Sequence, residues 1–270
     1  MYASTESSDP NRHAIMPVGD VAAARERCAS VGCPAGRVSG HGGVPKRMRV
    51  RLATLALAVL LGVAQAVAIP PAPATAQQSD LITFVNFVLN DVNHFWSTMF
   101  ARAGLRYAAP HAVFYSRSIR TPCNSRPASG PFYCQFDDTI YLDTGFLGRI
   151  WQPRLNFPVA YAVAHEFGHH VQRSLGIQKS RFPTEANEVF SIDLELQADC
   201  LTGMWARAVK QEGLLEPGDI GSAINFAVDD LGDPDGTPRW DLNAHGSGPE
   251  RGTAFFMGYA TGDFSTCAKF

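Results

Sequence analysis

The chain has 270 residues, with 23 Lys and Arg against 25 Asp and Glu, for a formal net charge of −2. So even a balance gives no long-range pull toward nucleic acid or an anionic membrane surface, and neither is expected as a partner. Residues 1–47 are rich in Ala, Gly, Ser, Pro and Arg and hold no sustained period of 2 or 3.6, which predicts a disordered leader.

Lys46, Arg47, Arg49 and Arg51 then lead into the apolar run from Leu52 to Val63, followed by the small-residue sites Ala64-Gln65-Ala66 and Ala74-Thr75-Ala76. Basic, then apolar, then A-x-A is the order of a secretory signal, so residues 48–76 read as a signal peptide with a linker, and Met48 as a possible true start. The competing reading is a signal anchor: the apolar stretch extends weakly to Ile69, and residues 52–69 would then hold the protein at a membrane. Pro70, Pro71 and Pro73 predict an extended linker. Residues 77–270 have the length of one domain with a sizeable core, secreted or held at the cell envelope.

Ser79 and Asp80 are N-cap candidates for a long helix. Its apolar stripe is Leu81, Phe84, Val85, Val88, Leu89, Val92, Phe95, Trp96, Met99 and Phe100, and Gly104 ends it. Ala112–Tyr115 reads as a strand. Phe132–Phe136 and Thr139–Leu142 read as a hairpin turning at Asp137-Asp138, and Asp143 to Ile150 as a short helix. Pro158 to Ser174 is helical, with Val159, Ala162, Val163, Phe167 and Val171 supplying apolar contacts and Gly176 the stop. Further helices are expected from Thr184 to Lys210, from Pro217 to Leu231 with Asp219 near its positive end, and from Pro249 to Gly262, with a Gly- and Asp-rich loop over 229–248. Helix, short antiparallel sheet, then helices is an α+β layout. Cys123 with Cys134 is the obvious local disulfide. Cys200 with Cys267 would tie the chain's last residues to a helix, while Cys28 and Cys33 fall in the leader.

The chemistry concentrates in His165-Glu166-Phe-Gly-His169. Histidines four apart on a helix differ by about 40° around the axis, so both imidazoles reach one ion, and the intervening glutamate is placed to contact water rather than metal. A catalytic zinc needs a third protein ligand and an open position. Glu195 and Asp199, four apart on the next helix, offer it: one carboxylate binds the metal while the other accepts a hydrogen bond from a ligand histidine, with Glu195 the first choice and Asp199 its rival. Glu185, Glu188 and Asp193 read as a solvated face. His170 points about 100° away from His169 and reads as a packing or solvent-facing residue. His245, in a Gly-rich loop, could donate to an oxyanion or be a loop histidine without consequence; Arg251 could pair with an acid, orient that loop or contact substrate.

Residues 164–172, AHEFGHHVQ, then 194–205, LELQADCLTGMW, and His245-Gly-Ser with Arg251 resemble the bacterial neutral zinc metallopeptidase family, as do Gly130–Cys134 and Ile140–Asp143. The likeness covers about residues 80–265, with Asn124 standing where the pattern has glycine. It implies a mostly helical, gluzincin-type zincin fold with a small antiparallel sheet. It also implies one zinc ion on His165, His169 and Glu195, Glu166 as general base, Asp199 as the partner of a ligand histidine, and His245 as a transition-state donor. The expected activity is hydrolysis of peptide bonds in a peptide or protein substrate, with the strand around Ile140–Leu142 as the edge that pairs with it. The alternatives are a zinc amidase acting on cell-wall peptides and a non-catalytic scaffold in which zinc only knits helices together.

Overall fold

A computed structural model describes residues 74–124, 128–177, 191–239, 241 and 243–270. The leader, residues 48–73 of the signal or anchor segment with its prolines, Cys28, Cys33, Glu185 and Glu188 lie outside the described residues, while the second small-residue site, Ala74-Thr75-Ala76, is the first turn of a helix.

Helix α1, Ala74–Arg102, carries the expected stripe: Leu81, Val85, Val88, Leu89, Val92, Trp96 and Phe100 are buried, with Phe84, Phe95 and Met99 packed beside them. Ser79 and Asp80 do not cap it. The helix already runs from Ala74, and the Ser79 carbonyl accepts from the Thr83 hydroxyl one turn on. Three strands follow: β1 His111–Tyr115, β2 Phe132–Cys134 and β3 Thr139–Asp143. The β2–β3 hairpin is antiparallel as expected, but β1 adds to the far edge of β3 in parallel, so the sheet is mixed with order β1-β3-β2. Strand β3 is therefore central and buried along its length, and cannot take a substrate strand. The two sheet edges are β1 and β2. Ala112, Ile140 and Leu142 face the main core, while Val113, Tyr115 and Tyr141 form a small cluster with Cys134 on the opposite face. The Cys123–Cys134 disulfide borders that second cluster.

Asp143 caps the short helix α2, Thr144–Ile150, through Gly145 N–H. Helix α3, Phe157–Ser174, crosses the molecule almost wholly buried, with all five expected apolar residues in the core. Helix α4, Ser191–Gln211, packs beside it and is tied to α1 by the Trp205 indole N–H donating to Asp91 at 2.7 Å. Pro217 does not open the next helix: Gly218 is its N-cap, and α5, Asp219–Asn225, runs into a π-helical turn over Phe226–Asp230. Helix α6, Gly248–Thr261, opens on a capping box between Ser247 and Glu250. The chain closes with α7, Phe264–Cys267, a single turn not expected from the sequence, held to α4 by the Cys200–Cys267 disulfide.

Helices α4 and α6 approach so closely that a Cβ at Gly258 would lie 1.9 Å from the Cys200 carbonyl oxygen. The obstruction is backbone, which cannot swing aside as a side chain can. Gly258→Ala is expected to lower the unfolding free energy by about 3 kcal/mol, measured by urea denaturation; an unchanged midpoint would contradict this packing.

Candidate metal centre

The α3 and α4 helices meet through Gly168, where a Cβ would come within 2.9 Å of the Ala198 Cα and Cβ. That close approach brings the polar residues of two helices into one buried pocket. His165, His169 and Glu195 each present a ligand atom within 4.8 Å of the others, a set that could hold a metal ion. The Glu195 carboxylate lies 3.0 Å from His165 Nε2 and 3.4 Å from His169 Nε2.

The other ring nitrogens are engaged. His165 Nδ1–H donates to Asp199 Oδ1 at 2.8 Å, and His169 Nδ1–H to Gln172 Oε1 at 2.9 Å. With each Nδ1 committed as a donor, a neutral imidazole turns a lone pair toward the centre. Two lone pairs and a carboxylate then face one another, all of them acceptors. A cation is what such a set requires, and nitrogen plus carboxylate donors suit zinc. The same demand shows in protons. Burial alone would lower the His165 pKa, but Asp199 and Glu195 outweigh it and push it up to about 10. His169 is raised against its own burial by Glu195, and Glu195 is held well below the usual carboxylate range, despite burial, by the two imidazoles.

Asp199, the alternative carboxylate, is engaged on the outer side of His165. Its Oδ1 accepts from His165, from the Tyr161 hydroxyl at 2.6 Å and from Arg251 Nη2 at 3.0 Å, and its Oδ2 accepts from Arg251 Nε at 2.8 Å. Fully buried, with both oxygens hydrogen-bonded, it orients His165 through Nδ1 and is not among the residues whose ligand atoms converge. Of the three readings open for Arg251, pairing with an acid is the one observed. Its Nη1 also holds the Leu231 carbonyl at 3.0 Å, at the start of the loop that carries His245.

Glu166 is buried, lines the cleft and accepts from the backbone N–H of Tyr133 on β2. Burial holds its carboxyl above the ordinary range, against the pull of both imidazoles. His245 stands half-exposed at the rim of the same cleft, which has a volume of about 590 Å³. Asp233 fastens its loop, accepting from the backbone N–H of His245 at 2.6 Å and of Gly246 at 2.8 Å. His170 points away from the centre and is buried, with Nδ1 on Asp138 and Nε2 on the Ala108 carbonyl, both at 2.9 Å. Asp193 pairs with Arg239, which also reaches Glu250, each at 2.7 Å. Gln172 was not anticipated. It sits three residues after His169, the helical spacing that signals a shared face.

The family model described as "Putative neutral zinc metallopeptidase" matches residues 22–270. The uncharacterized protein YpfJ of Escherichia coli K12 is 32% identical over 269 aligned residues, covering 89% of this chain and 91% of that protein. The uncharacterized protein Rv2575 of Mycobacterium tuberculosis H37Rv is 37% identical over 190 residues, covering 61% and 63%. No solved structure matches the chain.

Asp199→Asn removes the carboxylate paired most closely with the buried Arg251 cation, leaving Glu195 4.0 Å away, and should lower stability at neutral pH by about 3 kcal/mol. Despite burial, Arg251 and His165 hold the folded-state pKa of Asp199 below its ordinary value. Its contribution is therefore complete above the unfolded pKa, near 4, and is lost as pH falls through the folded value. The stability gap between native and variant, read by urea denaturation across pH, should narrow below about pH 4. A gap independent of pH would contradict the assignment.

Proposed function

The chain belongs to the neutral zinc metallopeptidase family, and on that premise we propose that it hydrolyses peptide bonds with one zinc ion held by His165 Nε2, His169 Nε2 and the Glu195 carboxylate. The observation that carries this is the ring of acceptors whose histidine Nδ1 atoms are both already spent. Among the described residues three protein groups converge, and the centre opens on a cleft. A purely structural zinc site usually has four protein ligands and no opening, which disfavours the scaffold reading.

Zinc bound there supplies Lewis acidity, lowering the pKa of water and polarising a carbonyl. The other roles fall to the chain's own residues. Glu166 faces the cleft with an elevated pKa, suited to taking a proton from the attacking water and returning it to the leaving amine as the C–N bond breaks. The Tyr133 N–H fixes the orientation of that carboxylate. An extended substrate would lie along β2, whose Phe132 and Tyr133 line the cleft, rather than along β3 as the sequence suggested. His245 would donate to the oxyanion from the rim, on a loop anchored by Asp233 and Arg251.

Two disulfides fit an oxidising, extracytoplasmic setting. Among the described residues no helix is long and apolar enough to cross a membrane. We place the mature protein outside the cytoplasm, with export or anchoring assigned to residues 48–76.

Glu166→Gln should bind zinc as the native protein does and lose about 10²–10⁴-fold in peptide hydrolysis. Zinc content by atomic absorption, and cleavage of a mixed peptide library with cell-wall peptides included, test this. Cleavage confined to cell-wall peptides would redirect the reading to an amidase. Zinc in both proteins with no cleavage by either would favour the scaffold.

A further inference from the structure

The two candidate histidine ligands are oriented by different devices. His165 is held by a charged carboxylate, whereas His169 is held by an amide, and that amide belongs to a longer chain of hydrogen bonds. Gln172 Nε2 donates to the Leu194 carbonyl at 2.6 Å and to Gln197 Oε1 at 3.2 Å. Gln197 Nε2 in turn donates to the Cys267 carbonyl at 3.1 Å. Gln172, Gln197 and Cys267 are all buried, and Cys267 is fastened by its disulfide to Cys200, three residues beyond Gln197 on α4.

An amide has one accepting end and one donating end, so the order of the chain is fixed from its far terminus. The Cys267 carbonyl can only accept, which turns the Gln197 NH₂ toward it and the Gln197 oxygen toward Gln172. The Gln172 NH₂ is then shared between two acceptors, Gln197 Oε1 and the Leu194 carbonyl, leaving its oxygen for the ring of His169. Reversing either amide would set oxygen against oxygen in a buried place, where an unmade hydrogen bond costs most. His169 Nδ1 is thereby committed as a donor and Nε2 as the free lone pair.

We propose that Gln172 is a positioning residue for the metal ligand His169, and that Gln197 and the disulfide-anchored Cys267 carbonyl set its orientation. This rests on the metal reading above and adds the device that selects the tautomer of the second histidine. Gln172→Leu, Gln197→Leu and the double variant test it, with zinc affinity measured by competition against a chromophoric chelator. Gln172→Leu should bind zinc about 10–100-fold more weakly, Gln197→Leu should lose less, and the double variant should be no weaker than Gln172→Leu alone, as for links in series. In the metal-free native protein, proton NMR should show a slowly exchanging His169 Nδ1–H resonance that Gln172→Leu removes.

Circular dichroism and thermal unfolding of the metal-free variants establish that they fold. A folded Gln172→Leu within about twofold of native zinc affinity would overturn the proposal, and so would losses that multiply in the double variant. If Gln172→Leu does not fold, Gln197→Leu decides: unchanged affinity with an unchanged ring proton overturns it. If the native protein binds no zinc, the metal reading fails by itself, and the ring-proton spectra of the metal-free proteins still decide what Gln172 does.

Discussion

A buried ring of acceptors is the constraint on which the rest of the structure depends. His165 Nε2, His169 Nε2 and Glu195 face one another because Asp199 and Gln172 have taken up the opposite nitrogens. Left neutral and empty, that arrangement is unfavourable, and the raised pKa values of both histidines express how strongly it draws a positive charge. Stability and function therefore oppose each other here, as they commonly do where a site is preorganised.

The scaffold holds this arrangement from several sides. The Gly168–Ala198 approach sets the distance between the two helices that carry His165, His169 and Glu195. Arg251 reaches from α6 to neutralise Asp199, so a third helix fixes the charge that orients His165. The same guanidinium holds the Leu231 carbonyl, which links the buried ion pair to the loop at the cleft's rim. On the other side, Tyr133 ties the β2 edge to Glu166. Its hydroxyl also donates to Asp138, the residue that holds His170, so β2 and α3 are joined at two points.

Much of the centre was legible in the sequence because its signals are local. Residues four apart on one helix share a face whatever packs against them, so His165 with His169, and Glu195 with Asp199, could be paired by spacing alone. The choice between Glu195 and Asp199 could not be made that way. It depends on Arg251 and Tyr161, which reach Asp199 from elements distant in sequence. The parallel partner of β3 was missed for the same reason: parallel strands need a long crossover, and spacing along the chain does not reveal one. Gln172 is a different case. Its i+3 spacing from His169 was visible, but its amide direction is decided by Gln197 and Cys267, far along the chain.

The most direct test of the central claim is the position of the ion itself. Crystals of the mature protein grown with zinc, with anomalous diffraction measured on both sides of the zinc absorption edge, would locate it. One strong peak is expected among His165 Nε2, His169 Nε2 and the Glu195 carboxylate, with Asp199 and Gln172 still on the opposite ring nitrogens. A site without a peak, or a peak coordinated by Asp199 in place of Glu195, would contradict that claim.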